Sequence, residues 1–136
     1  MKDYWELKVR DEFSAAHALR HYQGKCERTH GHNFSVEVCV GGCELDPATH
    51  ILLDFKTLKD SLKQALATLD HAFLNELEIF GEINPSSENI ARAIWRNLAE
   101  ILASSPDLRA SKVALKYVEV SEKSSQSAVY RPFDGD

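Results

Sequence analysis

Three imidazoles and a thiol are the groups of this chain whose type and spacing point most directly to chemistry. The stretch Cys26-Glu-Arg-Thr-His30-Gly-His32-Asn-Phe34 packs a cysteine and two histidines into seven positions. Side chains alternate across a strand, so histidines one residue apart face the same way only if the chain is extended. Phe34, Val36, Val38 and Val40 continue that parity, which puts His30 and His32 at the mouth of a half-buried apolar face. His17 closes an earlier alternating run. Three imidazole nitrogens on two adjacent strands can then meet at one ion. That donor set suits Zn2+ and leaves coordination positions open, as in a catalytic rather than a structural site. The bland alternative is that His30-Gly31-His32 only closes a turn. A mixed cysteine–histidine structural site is a second alternative. Against it, Cys39 has the wrong parity and Cys43 lies beyond Gly41-Gly42, so they read as a packed residue and a turn residue. Cys26, near a dication and Lys25 or Arg28, would have a lowered pKa and can serve as a base.

Two further groups carry both a functional and an ordinary reading. Asp70-His71 stands where a helix is expected to end, and such a pair is commonly a polar cap. As chemistry, the carboxylate would orient the imidazole and raise its basicity, giving a proton relay. Glu122, in Val-Ser-Glu-Lys, closes a strand, where pattern alone favours a solvated hairpin residue.

The elements that must position these groups follow from pattern. Trp5, Leu7, Val9 and Phe13 alternate with Glu6, Lys8, Arg10 and Glu12, a strand signature interrupted by Asp11 and continued through Ala15 to His17. Residues 18–29 form a long polar connection, a type that tends to be functional. A second strand runs from about His30 to Val40, and Gly41-Gly42 ends it. Asp46-Pro47 marks a turn. Asp54 is placed to cap a helix over Phe55–Leu69, whose apolar positions fall at helical spacing. Ser86 caps a second helix with Ile90, Ile94, Leu98, Ile101 and Leu102 as its buried stripe, ended by Ser104-Ser105-Pro106. Strands at Val113–Ser121 and Ala128–Pro132 complete a β-β-α-α-β-β order. This is an α+β fold, a four-stranded antiparallel sheet with two helices on one face. On the first of these strands Val113, Leu115 and Tyr117 share a parity.

Composition bounds the class of function. With 136 residues, 43% of them apolar and 27% charged, the chain is expected to be one globular domain over 1–136. A net charge of −5 gives no reason to expect nucleic acid, which needs a basic face. No apolar run approaches the ~20 residues that span a bilayer, and the first residues do not read as a signal peptide. Three cysteines cannot all pair, so no disulfide framework is expected and a reducing cytoplasm is the default location. A small-molecule or protein partner remains.

In order along the chain stand Phe13-Ser-Ala-Ala-His17, Cys26-x-x-x-His30-Gly-His32-Asn-Phe34, Leu53-Asp54-Phe55, Leu69-Asp70-His71-x-x-Leu74-Asn75, Asn84-Pro85-Ser86-Ser87-Glu88-Asn89, and Glu122 before Tyr130. Together they resemble the 6-pyruvoyl-tetrahydropterin synthase superfamily over nearly the full length. The three-residue gap between Cys26 and His30 is similar to the bacterial branch, the 6-carboxy-5,6,7,8-tetrahydropterin synthases of queuosine (7-deazaguanine) biosynthesis. The resemblance implies a tunnel-fold (T-fold) subunit whose sheets join into a barrel, with two trimers stacked as a homohexamer and active sites between subunits. It implies His17, His30 and His32 as zinc ligands, Cys26 as the proton-abstracting base, and Asp70 with His71 as the relay. Glu122 would anchor the pterin, accepting from the 2-amino group and ring N–H. Lys123 stands where threonine is usual and Ser121 where an aromatic or aliphatic residue is, which leaves Glu119 as a rival anchor. The implied substrate is 7,8-dihydroneopterin triphosphate, with Lys25, Arg28, Arg20 and His21 as nearby cations for its triphosphate. The implied products are 6-carboxy-5,6,7,8-tetrahydropterin, acetaldehyde and triphosphate. The residues also leave open a pyruvoyl-forming synthase or related dihydroneopterin lyase, and a non-catalytic zinc- or pterin-binding T-fold protein.

Overall fold

Two long antiparallel strands, β1 (Trp5–His17) and β2 (His30–Gly42), carry the rest of the molecule. The computed structural model describes residues 1–24 and 27–133. The two strands pair residue for residue from Trp5 opposite Gly42 to His17 opposite His30. Alternation does what the pattern requires: Val9, Phe13, Ala15 and His17 are buried on β1, as are Phe34, Val36, Val38 and Val40 on β2. Phe13 and Phe34, opposite one another, stack with ring centroids 4.9 Å apart, directly beneath the histidines. Gly41 and Gly42 are the last two residues of β2, and each is glycine because something lies against it. A Cβ on Gly41 would meet the Tyr4 ring, and one on Gly42 would meet Leu52 and the Lys112 carbonyl.

The remaining elements are α1 (Phe55–Leu66), β3 (Ala72–Phe73), α2 (Ser87–Ala103), β4 (Ala114–Lys123) and β5 (Gln126–Tyr130). The sheet order is β3-β1-β2-β4-β5. The fold is α+β as expected, but the sheet has five strands rather than four, and it is mixed because β3 runs parallel to β1. A strand of two residues is too short to display any period, so sequence pattern could not reveal it.

Both helix starts are set by side-chain caps. The Asp54 carboxylate accepts from Lys56 N at 2.8 Å, and Ser86 Oγ accepts from Asn89 N at 3.2 Å. α1 buries Leu58, Leu62, Ala65 and Leu66, and it stops at Leu66 rather than Leu69. Its last turn tightens, with Ala67 N donating to Gln64 O and Leu69 N to Leu66 O, while Leu69 stays fully buried. α2 buries Ile90, Ala91, Ile94, Leu98 and Leu102. Both helices pack on one side of the sheet, α1 on β1 and α2 on β4 and β5.

One irregularity decides which face of β4 looks at the core. Cys39 of β2 pairs with Tyr117 while its neighbour Val40 pairs with Leu115, so Lys116 is an extra residue in β4. A bulge of this kind reverses the parity of everything beyond it. Leu115 packs against the core from one side of the bulge, and Val118 and Val120, not Tyr117, are buried on the other. The expected parity of Val113, Leu115 and Tyr117 is therefore corrected at Tyr117. Val120 is buried and Glu122 follows it by two, so Glu122 falls on the face that carries the histidines. The last two strands also begin and end at slightly different residues than pattern gives, β5 ending at Tyr130 rather than Pro132.

Candidate metal centre

His17, His30, His32 and Glu122 converge at one end of the sheet, each offering one ligand atom, with all four atoms within 4.8 Å of one another. The convergence follows from the register. His17 lies opposite His30, Ala15 opposite His32, and Glu122 follows Ser121, which pairs with Ser35. The ring centroids are 4.6 Å apart for His17 and His30, 4.7 Å for His30 and His32, and 5.7 Å for His17 and His32. Phe34 stands edge-on to both His17 and His32, at 5.2 and 5.9 Å, and forms the apolar floor. His17 is 2% exposed, whereas the other three are only partly buried, so the cluster opens outward on one side.

The ring nitrogens are assigned by their neighbours. His17 Nδ1 lies 2.8 Å from the Pro85 carbonyl and His30 Nδ1 3.0 Å from the Arg28 carbonyl. A carbonyl oxygen only accepts, so each Nδ1 carries the hydrogen and each neutral ring presents Nε2 as a lone pair. His17 Nε2 is buried and has no hydrogen-bond partner among the described residues. The atom it faces is Glu122 Oε1 at 3.1 Å, another acceptor, and Glu122 Oε2 lies 3.4 Å from His32 Nε2. Two lone-pair atoms at this separation repel unless a proton or a metal ion stands between them. Imidazole nitrogens backed by carbonyls and a carboxylate, converging on one point, are a donor set that fits a divalent transition metal such as zinc.

The structure brings together His17, His30 and His32 as the spacing predicts, and adds Glu122 to them. Glu119, the rival for the pterin anchor, takes the opposite parity because of the Lys116 bulge and accepts from Ser127 Oγ. Cys26 and Lys25 lie outside the described residues. Cys39 is buried, with its thiol pushed up to about 11 by that burial, and Cys43 is exposed. Neither belongs to the cluster, consistent with a packing role and a turn role.

Asp70 and His71 sit at the β3 edge of β1. Asp70 Oδ1 accepts from Ser14 N at 3.0 Å, and His71 N donates to Ser14 O at 2.6 Å. The carboxylate-to-imidazole distance within the pair is 3.6 Å, longer than a hydrogen bond. His71 is a non-glycine residue at φ = 60°, a sparsely populated conformation, and its side chain is 82% exposed. It borders an open cleft with Ser14, Ala16, Gly31, Asn33 and Phe73, beside His32. A Cβ on Gly31 would meet nothing closer than the Ala15 carbonyl at 3.9 Å, so packing does not demand glycine there.

Of the cations named for the triphosphate, Arg20 is corrected. Its guanidinium donates to the carbonyls of Ile83 (2.9 Å), Asn75 (3.2 Å) and Phe80 (2.8 Å), which fixes it within the fold. His21 is exposed at φ = 61°, and Arg28 is exposed beside His30. Sequence reasoning did not find the partner of His17. Pro85 stands in the quoted Asn84-Pro85 motif, but nothing local ties that motif to a histidine 68 positions away.

A five-stranded sheet with two helices on one side and a histidine cluster at its strand ends defines the class: an α+β protein of the tunnel fold. Its backbone superposes on that of Caenorhabditis elegans 6-pyruvoyl tetrahydropterin synthase with a TM-score of 0.81 at 28% identity, covering 97% of this chain and 98% of that one. The sequence is similar to the 6-carboxy-5,6,7,8-tetrahydropterin synthase of Synechocystis, 36% identical over 130 residues, which is 93% of this chain and 92% of the relative. It is also 34% identical over 136 residues to the protein of the same name from Bacillus subtilis, covering 96% and 88%. Residues 6–132 match the 6-pyruvoyl tetrahydropterin synthase family, and the chain belongs to it.

Proposed function

We propose that the protein is a zinc-dependent lyase that converts 7,8-dihydroneopterin triphosphate and one water to 6-carboxy-5,6,7,8-tetrahydropterin, acetaldehyde and triphosphate, in queuosine biosynthesis, the water supplying the second carboxylate oxygen. The observation that supports it most is the buried His17 Nε2, a lone pair facing a carboxylate across 3.1 Å at the convergence of three imidazoles. Similarity to two relatives of that name over almost the whole chain supports the carboxy product over the pyruvoyl one.

His17, His30 and His32 are the residues to hold the ion. Bound there, zinc would supply a Lewis acid that polarises the substrate's side-chain hydroxyls and acidifies the neighbouring C–H. Cys26 removes the proton, and His71, held at the β3 edge with Asp70, returns one. Glu122 accepts from the pterin 2-amino and ring N–H groups through its two oxygens. In the free chain those oxygens are turned onto His17 and His32, so binding a pterin requires the carboxylate to turn away from the rings. The active unit in this reading is a homohexamer in the cytoplasm, with sites shared between subunits.

The test is a product assay. Zinc-loaded protein incubated with 7,8-dihydroneopterin triphosphate is expected to yield the carboxypterin and acetaldehyde by mass spectrometry, and Cys26→Ala to keep its zinc and yield neither. A pyruvoyl product would move the protein to the other branch of the family. No turnover by the zinc-loaded chain would overturn the assignment.

A further inference from the structure

Where the β1–β2 ladder ends, two asparagine side chains bind the backbone of Ala18 and Arg20. Asn75 accepts from Ala18 N at 2.9 Å and donates to Ala18 O at 2.8 Å. Asn84 does the same for Arg20, accepting at 2.7 Å and donating at 2.8 Å. Each carboxamide satisfies both backbone groups of one residue, as a neighbouring strand would. Arg20 closes the arrangement from the other side. Its guanidinium binds three carbonyls of the 75–83 segment, including that of Asn75 itself. Asn84 immediately precedes Pro85, whose carbonyl receives His17 Nδ1–H. Asn89 Nδ2 then fixes the Asn84 carbonyl at 2.8 Å, which ties the same peptide to the start of α2.

From this geometry we infer that Asn75, Asn84 and Arg20 are positioning residues for the metal centre: they hold the Pro85 carbonyl on His17 and thereby fix the tautomer and direction of His17 Nε2. The inference rests on the metal-site reading above. His17 is the most buried of the histidines, so its ring is oriented by protein groups: His30 and Phe34 pack against it edge-on, and the Pro85 carbonyl takes its Nδ1–H. Asn75 and Asn84, both within the quoted motifs, thereby have a structural role in the site. Arg20 acts through the backbone rather than on a phosphate.

The experiment uses the full chain. Zinc affinity is measured by chelator competition for wild type, Asn84→Ala, Asn84→Asp and Arg20→Lys, and the His17 tautomer of the metal-free proteins is read by imidazole 15N NMR. Loss of a group that orients a metal-bound histidine weakens metal binding by about 10- to 100-fold, and that loss is expected for Asn84→Ala and Arg20→Lys. Asn84→Asp keeps the acceptor for Arg20 N but sets a carboxylate oxygen against the Arg20 carbonyl, so a loss at least as large as that of Asn84→Ala is expected. Thr57→Ala, which removes the bond from Thr57 Oγ1 to Asp107 far from the site, controls for general destabilisation. Wild-type zinc affinity in the Asn84 and Arg20 variants, or a loss no larger than that of Thr57→Ala, would overturn the inference. So would an Nε2–H tautomer of His17 in the metal-free wild type. If the wild type bound no zinc, the proposed function would fall, while the tautomer comparison between wild type and Asn84→Ala would still decide this inference.

Discussion

His17 shows how a single side chain can be read twice. By alternation it is the last buried residue of a strand, and by chemistry it is a candidate ligand whose Nδ1 is already committed to the Pro85 carbonyl. The histidines were legible because two residues of one type at a spacing of two can share a face only in a strand. Resemblance names Glu122 as a pterin anchor and pattern alone reads it as a solvated hairpin residue, and neither places it beside the histidines. The Lys116 bulge, which no composition rule announces, brings Glu122 to the histidines. Hydrogen bonds to an ionised acceptor contribute about 1.5–3 kcal/mol each. Glu122→Gln is therefore expected to weaken binding of a pterin ligand by roughly 10- to 100-fold, measured by calorimetry, with Glu119→Gln near wild type. The reverse order would mean that the anchor lies three residues earlier.

The strands and helices were legible wherever burial repeats: β1, β2 and both caps appear where the pattern puts them, and so does the stripe of α2 except that Ile101 is only partly buried and Ala91 is buried instead. What was not legible is what has no repeat. β3 is two residues long, and the tightened end of α1 leaves Leu69 buried although the helix has stopped. The Asn75 and Asn84 clamps join residues more than fifty positions apart. Phe34 is the side chain on which the site and the core both rest, fully buried between Phe13 and the rings of His17 and His32. Phe34→Ala is expected to cost about 3–5 kcal/mol in urea unfolding and to lower zinc affinity as well. A loss under about 1 kcal/mol, the usual size of a surface change, would contradict that placement. On the same strand Cys39 is buried, with its thiol raised to about 11. A thiol below its pKa is a poor nucleophile, so at pH 8 iodoacetamide should modify Cys43 in the folded protein and Cys39 only after unfolding, by peptide mapping.

At the scale of the molecule, β5 is an edge strand, and among the described residues β1 is paired on its outer side at Ala15 and Ala16 alone. Open edges of this kind invite strand pairing between copies, which is how a T-fold ring would close. The proposed hexamer predicts a mass about six times that of the 15.3 kDa chain by light scattering; a monomer would contradict shared sites. The central claim, that three histidines at the strand ends hold zinc, is tested most directly by elemental analysis of purified wild type and His30→Ala. His30 is only partly buried, so its loss should leave the fold intact by circular dichroism. The account predicts about one zinc per wild-type chain and less than about a tenth of that in the variant. Full zinc occupancy in a folded His30→Ala protein would contradict it.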